Sequence, residues 1–128
     1  MIQQITKGIK ISVNTNFEGR HLQRSQLFYF FSYCITIENQ SNDTVQLTSR
    51  HWNIYDALNE IEIIEGEGVI GKKPVLKPNE THTYTSNCLL RSSSGSMNGF
   101  YNMINFSTSK KFIVHIPTFQ LMVPATFN

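Results

Sequence analysis

The run from Leu27 to Glu38 constrains this chain more than any other. Leu27, Tyr29, Phe31, Tyr33, Ile35 and Ile37 fall on one side of an extended segment, and all are apolar or aromatic. Phe28, Phe30, Ser32, Cys34, Thr36 and Glu38 fall on the other. A period of two, rich in β-branched and aromatic residues, is the signature of a strand. Such a strand must lay its apolar side against a second layer. The side bearing Ser32, Thr36 and Glu38 reads as solvated, which leaves Phe28 and Phe30 as an apolar pair exposed outside the core. Apolar patches of this kind mark interfaces, so Phe28 and Phe30 are candidate interaction residues.

The rest of the chain repeats the pattern. Ile5 to Val13 reads as one strand, with Ile9, Ile11 and Val13 sharing a face. Asn14 to Gln26 is polar, contains Gly19 and reads as a loop. Asn39 to Asp43 reads as a turn. Val45 to Ile54 and Glu60 to Ile64 read as a hairpin joined through Asp56-Ala57-Leu58-Asn59. A turn follows at Pro78-Asn79-Glu80. Then comes an alternating run that places His82, Tyr84, Ser86, Cys88 and Leu90 on one face. Phe100 to Phe106, Phe112 to Ile116 and Phe119 to Val123 complete the set, with Pro117 as an interruption. No window keeps a helical period of 3.6. The expected fold is all-β: an immunoglobulin- or fibronectin type III-like sandwich of seven to eight antiparallel strands. At 128 residues, with no internal repeat, residues 1–128 read as a single domain.

Composition excludes several classes. With 16% charged residues and a net charge of +2 that is scattered along the chain, no basic face forms and no nucleic acid is expected. No apolar run approaches the ~18 residues of a membrane span, and no secretory leader is visible, so no membrane insertion and a cytoplasmic location are expected. In a reducing compartment Cys34 and Cys88 read as thiols, not a disulfide. With Trp52 they resemble the two-cysteine and tryptophan pattern of immunoglobulin domains, which would bring the thiols near one another across the core.

The stretch from Glu65 to Met103 gathers most of the glycines. Gly66-Glu67-Gly68-Val69-Ile70-Gly71 matches G-x-G-x-x-G, which cradles a pyrophosphate when it follows a strand and opens a helix. Here Lys72-Lys73-Pro74-Val75-Leu76-Lys77-Pro78 follows, and its prolines forbid a helix interior. Glu65 and Glu67 would also repel phosphate. The expectation is a tight connection between strands, with Gly66, Gly68 and Gly71 as candidate interaction residues. A nucleotide- or pyrophosphate-binding protein or enzyme, using this loop with Lys72 and Lys73, is the first alternative. The histidines at 21, 51, 82 and 115 have no metal-site spacing. Glu60, Glu62, Glu65 and Glu67 lie near one another, so a direct divalent-cation binder is the second alternative. Outward positions on a hairpin arm account for Glu60 and Glu62. No Ser-His-Asp order, G-x-S-x-G motif or activated thiol is visible. No catalytic residue, metal ligand or cofactor is therefore assigned.

Arg50-His51-Trp52, the glycine motif, Pro74-Val75-Leu76-x-Pro78, Tyr84-x-Ser86, Gly95-Ser96-Met97-x-Gly99-x-Tyr101-x-Met103 and Ile116-Pro117-x-Phe119-x-Leu121 occur in this order. Together they resemble the ApaG family over nearly the whole chain. Two positions depart from the family pattern: Asn79 stands for glycine, and Ser92-Ser93 for a threonine-proline pair that would stiffen the turn. The resemblance implies the sandwich fold. It also implies an association, in bacteria, with cobalt resistance and magnesium efflux. Related domains at the end of some eukaryotic F-box proteins and of a DNA polymerase delta-interacting protein point to protein binding. No catalytic residues are agreed for the family. A chain with no bilayer span cannot carry ions itself, so the link to efflux would be indirect. The expected function is a non-enzymatic protein-interaction module with a protein partner, a homodimer being left open.

Overall fold

The strand at Leu27 to Glu38 becomes the spine of one of two sheets. The computed structural model describes residues 1–57 and 59–125; of the expected connection at Asp56 to Asn59, Leu58 lies outside the described residues. The strands are β1 (Ile2–Thr6), β2 (Ile9–Gln23), β3 (Gln26–Asn39), β4 (Val45–Asp56), β5 (Glu62–Glu67), β6 (Val75–Leu76), β7 (Thr81–Leu90), β8 (Ser94–Asn105) and β9 (Lys110–Met122). The first sheet runs β1-β2-β3-β7 and the second β5-β4-β8-β9, with β6 also bonded to β4. Every pairing is antiparallel. The two sheets bury Phe31, Tyr33, Ile35 and Ile37 of β3 against Trp52, Met97, Tyr101, Val114 and Phe119. Trp52 stands edge-on to both Tyr33 and Phe119, at centroid distances of 5.4 and 5.8 Å. This is the expected two-sheet antiparallel sandwich, with nine strands among the described residues instead of seven to eight, because the first expected strand is a hairpin and the short β6 adds another.

The first turns depart from the sequence reading for one reason. Ile5 to Val13 is not one strand but a hairpin, reversed at Lys7 (φ 49°) and Gly8 (φ 80°). Asn14 to Gln26 is not a loop. Most of it is the outer half of β2, paired with β3 up to Gln23↔Gln26 around Arg24 (φ 50°) and Ser25 (φ 65°). Two-residue turns with both central residues left-handed match the twist of the flanking strands. They normally advertise themselves with asparagine or glycine, and Arg24-Ser25 does not. Apart from Phe17, which packs against Phe31, this arm is largely exposed, in keeping with its polar composition.

Pro117 does not separate two strands. It sits within β9, where the register slips between Met97↔Phe119 and Gly99↔Ile116. A bulge on an edge strand is where a residue without an N–H is tolerated. Gly99 is required here, since a Cβ would lie 1.9 Å from the His51 carbonyl oxygen. The thiols do not meet across the core either. Cys34 pairs with Thr85 on the outer side of the first sheet. Cys88 pairs with Phe31 on the inner side of the same sheet. The immunoglobulin arrangement needs one cysteine in each sheet, and here both lie in the same sheet.

The chain changes sheets at Asn39, which is completely buried. Its Oδ1 accepts from Ser41 N (3.0 Å) and Ser41 Oγ (2.6 Å). Its Nδ2 donates to the carbonyls of Asp43 (2.7 Å) and Leu76 (2.9 Å). Its backbone N–H and carbonyl bond Glu80 O and Asn79 N. Asn79 takes φ 70°, so the asparagine in place of glycine is accommodated in a left-handed turn. One residue thus ties the β3–β4 crossover to β6 through its side chain and to the turn entering β7 through its backbone. Asn39→Leu keeps the volume and strands these groups without partners. Chemical denaturation should show a loss of at least about 3 kcal/mol. A loss below about 1 kcal/mol would contradict the assignment.

Candidate functional site

The sandwich closes on one side only. β1 and β2 pack against β9, whereas β5 and β7, the outer strands on the other side, barely meet. Two adjoining cavities fill that opening. One, of about 870 Å³, runs between Phe28, Phe30, Ile61, Glu62, Leu89 and Arg91. The other, of about 310 Å³, is lined by Tyr33, Arg50, Trp52, Ile70, Gly71, Tyr84 and Ser86. Ile54, Ile64 and Asn87 border both. The result is one cleft between two strand edges, each hydrogen-bonded on one flank only.

The glycine loop forms the end of this cleft. β5 and β6 lie in line along the same edge of β4, and residues 68–74 leave that edge and return to it. The departure is fixed by Gly68 N bonding Thr48 O (2.9 Å), and the return by Leu47 N bonding Pro74 O (3.1 Å). Between them Val69 and Lys72 exchange both main-chain bonds, at 2.8 and 3.0 Å, around Ile70 (φ 47°) and Gly71 (φ 72°). This small hairpin drives Val69 into the core, where it is 1% exposed. The tight connection expected from the sequence is therefore present. The amides of Gly68, Val69 and Lys72 are already bonded to carbonyls. No helix follows to aim further amides at a phosphate, which is what such a motif needs.

Arg50 is the residue around which the loop is folded. It shares the inward side of β4 with Trp52 and Ile54, a position where a cation is costly unless its charge is answered. Its Nη1 donates to the carbonyls of Glu67 and Gly68, both at 2.9 Å. Gly66 lets the guanidinium pass: a Cβ there would lie 2.8 Å from Nη2 and 2.9 Å from Cζ. Around it stand the hydroxyls of Tyr33, Tyr84 and Tyr101. Tyr84 and Tyr101 are hydrogen-bonded to each other, and Tyr33 to Ser86. Burial pushes all three phenols above their usual range, so each stays protonated at neutral pH.

The remaining sequence candidates fall as follows. Phe28 and Phe30 lie opposite the core-facing side of β3, as the alternation requires, but are half-buried at the cleft instead of freely exposed. Glu60 and Glu62 are exposed but both border the cleft instead of lying away from it, Glu62 paired with Ile54. Glu65 and Glu67 are engaged elsewhere. Glu65 holds His51 Nδ1 at 3.1 Å and Glu67 holds Lys73 at 3.3 Å. The Glu65 hydrogen bond raises the His51 pKa, and its ring stacks on Phe100 at 4.7 Å. Burial, with Lys72 nearby, lowers that of His82. Burial also pushes the Cys88 thiol up to about 12, helped by Glu62 and Asp56, so it carries almost no thiolate. The Ser92-Ser93 turn is held in place of its missing proline: the Asp56 carboxylate accepts from Arg91 N (2.6 Å) and Ser92 N (3.1 Å). Among the described residues no three His, Cys, Asp or Glu side chains gather to hold an ion. Sequence reasoning overlooked Arg50 as a site residue. Its signal was a charged side chain in phase with Trp52 and Ile54.

The three glycines serve different needs, and their alanine variants should rank accordingly in chemical denaturation. Gly68 is left-handed (φ 62°) and its Cβ would meet the Lys72 carbonyl at 2.2 Å, so Gly68→Ala should cost most. Gly66→Ala displaces a guanidinium from two carbonyls, at roughly 1.5–3 kcal/mol. Gly71→Ala meets open space and carries only its left-handed backbone, about 1–2 kcal/mol. A Gly66→Ala variant as stable as the parent would remove the basis for this account of Arg50.

Comparison with known proteins agrees with this geometry. Residues 19–105 match the family described as the ApaG domain. The chain is 43% identical to Protein ApaG of Beijerinckia indica over 97% of its own length and 95% of that protein's. It is 40% identical to Protein ApaG of Methylocella silvestris over the same shares. A solved structure described as the putative ApaA protein from Bordetella pertussis superimposes with a TM-score of 0.84. It has 34% identity, and the alignment covers 91% of this chain and 94% of that one. The motif, the sandwich and the full-length relatives agree: this chain belongs to the ApaG family.

Proposed function

We propose that the chain is a non-enzymatic interaction module that receives an extended segment of another protein along the open side of its sandwich. The observation that carries this reading is the cleft between β5 and β7, bordered by two strand edges with unbonded flanks and by apolar side chains. Leu89 is 47% exposed and Ile61 57% exposed, an arrangement costly to leave facing water unless it serves contact. An incoming strand can pair with the free edge of β7 while alternate side chains enter the cleft. Gly71 lines the same cleft, and Gly66 and Gly68 shape its wall. Phe28 and Phe30 continue its apolar surface around β7. The groups at the cleft favour binding over catalysis: burial raises the pKa of the Cys88 thiol, which leaves it without the thiolate that a nucleophile needs. The association with cobalt resistance and magnesium efflux that the family resemblance implies would run through this partner. Glu65 and Glu67, the acidic groups nearest the loop, are taken up by His51 and Lys73.

Leu89→Glu combined with Ile61→Glu tests the reading. Both positions are exposed, so stability should change by less than about 0.5 kcal/mol for each. Affinity capture from the native cell, with parent and variant as bait side by side, should recover a protein with the parent and lose it with the variant. A partner retained equally by both would place the contact elsewhere.

A further inference from the structure

The cleft holds a charge that is only partly answered. Among the described residues, the hydrogen bonds of Arg50 all leave from Nη1, and both end on main-chain carbonyls. Its neighbours in the cavity are phenols, indole, hydroxyls and apolar side chains, and the one acidic residue that lines it, Glu67, is paired with Lys73. A half-buried guanidinium in such surroundings keeps a full positive charge that two carbonyl dipoles only partly offset. Its remaining donors form a flat edge suited to a carboxylate, which can take two parallel N–H bonds at once. The charge lies where an occupant must pass. Arg50 pairs across the sheet with Gly66, the one β5 residue without a side chain, and borders the same cavity as Tyr84 and Ser86 of β7. A strand laid along β7 would carry one of its inward side chains directly over this cavity.

Resting on the reading above, we propose that Arg50 is a specificity residue. It accepts the carboxylate of an acidic residue in the docked segment, while the apolar part of the cleft, near Ile54, Ile64 and Leu90, takes the neighbouring inward side chains. The preferred segment is thus an extended peptide with one carboxylate at a fixed register and apolar residues two positions away. The cavity of about 310 Å³ is large enough for an aspartate or glutamate side chain. The Asn87 amide, which borders the same cavity, can donate a further hydrogen bond to the carboxylate that the guanidinium holds. Phosphate would bring a second negative charge toward Glu67, which borders the cavity, and is disfavoured on that ground.

The test is selection of a phage-displayed library of random octapeptides on the intact chain. Enriched sequences should share one acidic residue flanked at two-residue spacing by apolar residues. Replacing that acid by its amide in a synthetic copy of the strongest sequence should weaken binding to the unaltered protein on the order of tenfold. Because only the peptide changes, the comparison does not depend on any variant folding. The same library on Arg50→Met, checked for folding by circular dichroism, should return sequences without the acidic preference. Inorganic phosphate at millimolar concentration should not compete. Equal affinity of acid and amide peptides would overturn the role of Arg50 and leave the docking reading intact. Failure to enrich any sequence would overturn both, and competition by phosphate alone would show an anion site unrelated to peptide.

Discussion

Arg50 places a cation between two sheets, and the Gly66–Gly71 segment is shaped to accommodate it. The guanidinium passes under a residue with no side chain and captures two carbonyls of the turn beyond it. The Gly68 bond is partly buried and the Glu67 bond is exposed, so the grip spans the boundary between the cavity and solvent. That grip holds the small hairpin folded inward, with Val69 in the core and Ile70-Gly71 at the mouth of the cleft. The motif that suggests a phosphate cradle by its letters is here a clasp for an arginine.

The same clasp explains why the sandwich is asymmetric. On the β1–β9 side the sheets meet, and His115 N reaches Thr6 Oγ1 at 3.3 Å. On the β5–β7 side, Gly66 and the inward hairpin take up the space at one end, and the strands leave a gap along the rest. Sheet edges with unpaired backbone groups are a hazard that proteins usually cover. Here the gap is kept open by construction, with Asp56 anchoring the far turn and Arg50 the near one. A pre-formed opening would reduce the ordering cost of the docking proposed above.

Much of this was legible in the sequence. The parity of Leu27 to Glu38 correctly separated Phe31, Tyr33, Ile35 and Ile37 from Phe28 and Phe30, because one side of β3 is buried along most of its length. The prolines after Gly71 correctly ruled out a helix. The outer half of β2 was not legible, because a strand without a covering layer has no apolar side to display and Arg24-Ser25 lacks the residues that announce a hairpin turn. Asn39 read as the start of an ordinary turn; its burial depends on contacts with Asp43 and Leu76 that no local pattern encodes. Arg50 was visible as part of a family motif, yet its role rests on a close approach to Gly66 from a strand still to come. Local periodicity reports faces, whereas sites assembled across strands depend on register.

The most direct measurement is photo-crosslinking in the native cell from two matched positions. Leu89 on β7 is 47% exposed and Ile113 on β9 is 43% exposed, so a photoreactive phenylalanine analogue is similarly accessible at either. If the open side of the sandwich is the docking surface, Leu89 yields a discrete crosslinked protein and Ile113 does not. Crosslinking from Ile113 alone, or equally from both, would contradict it.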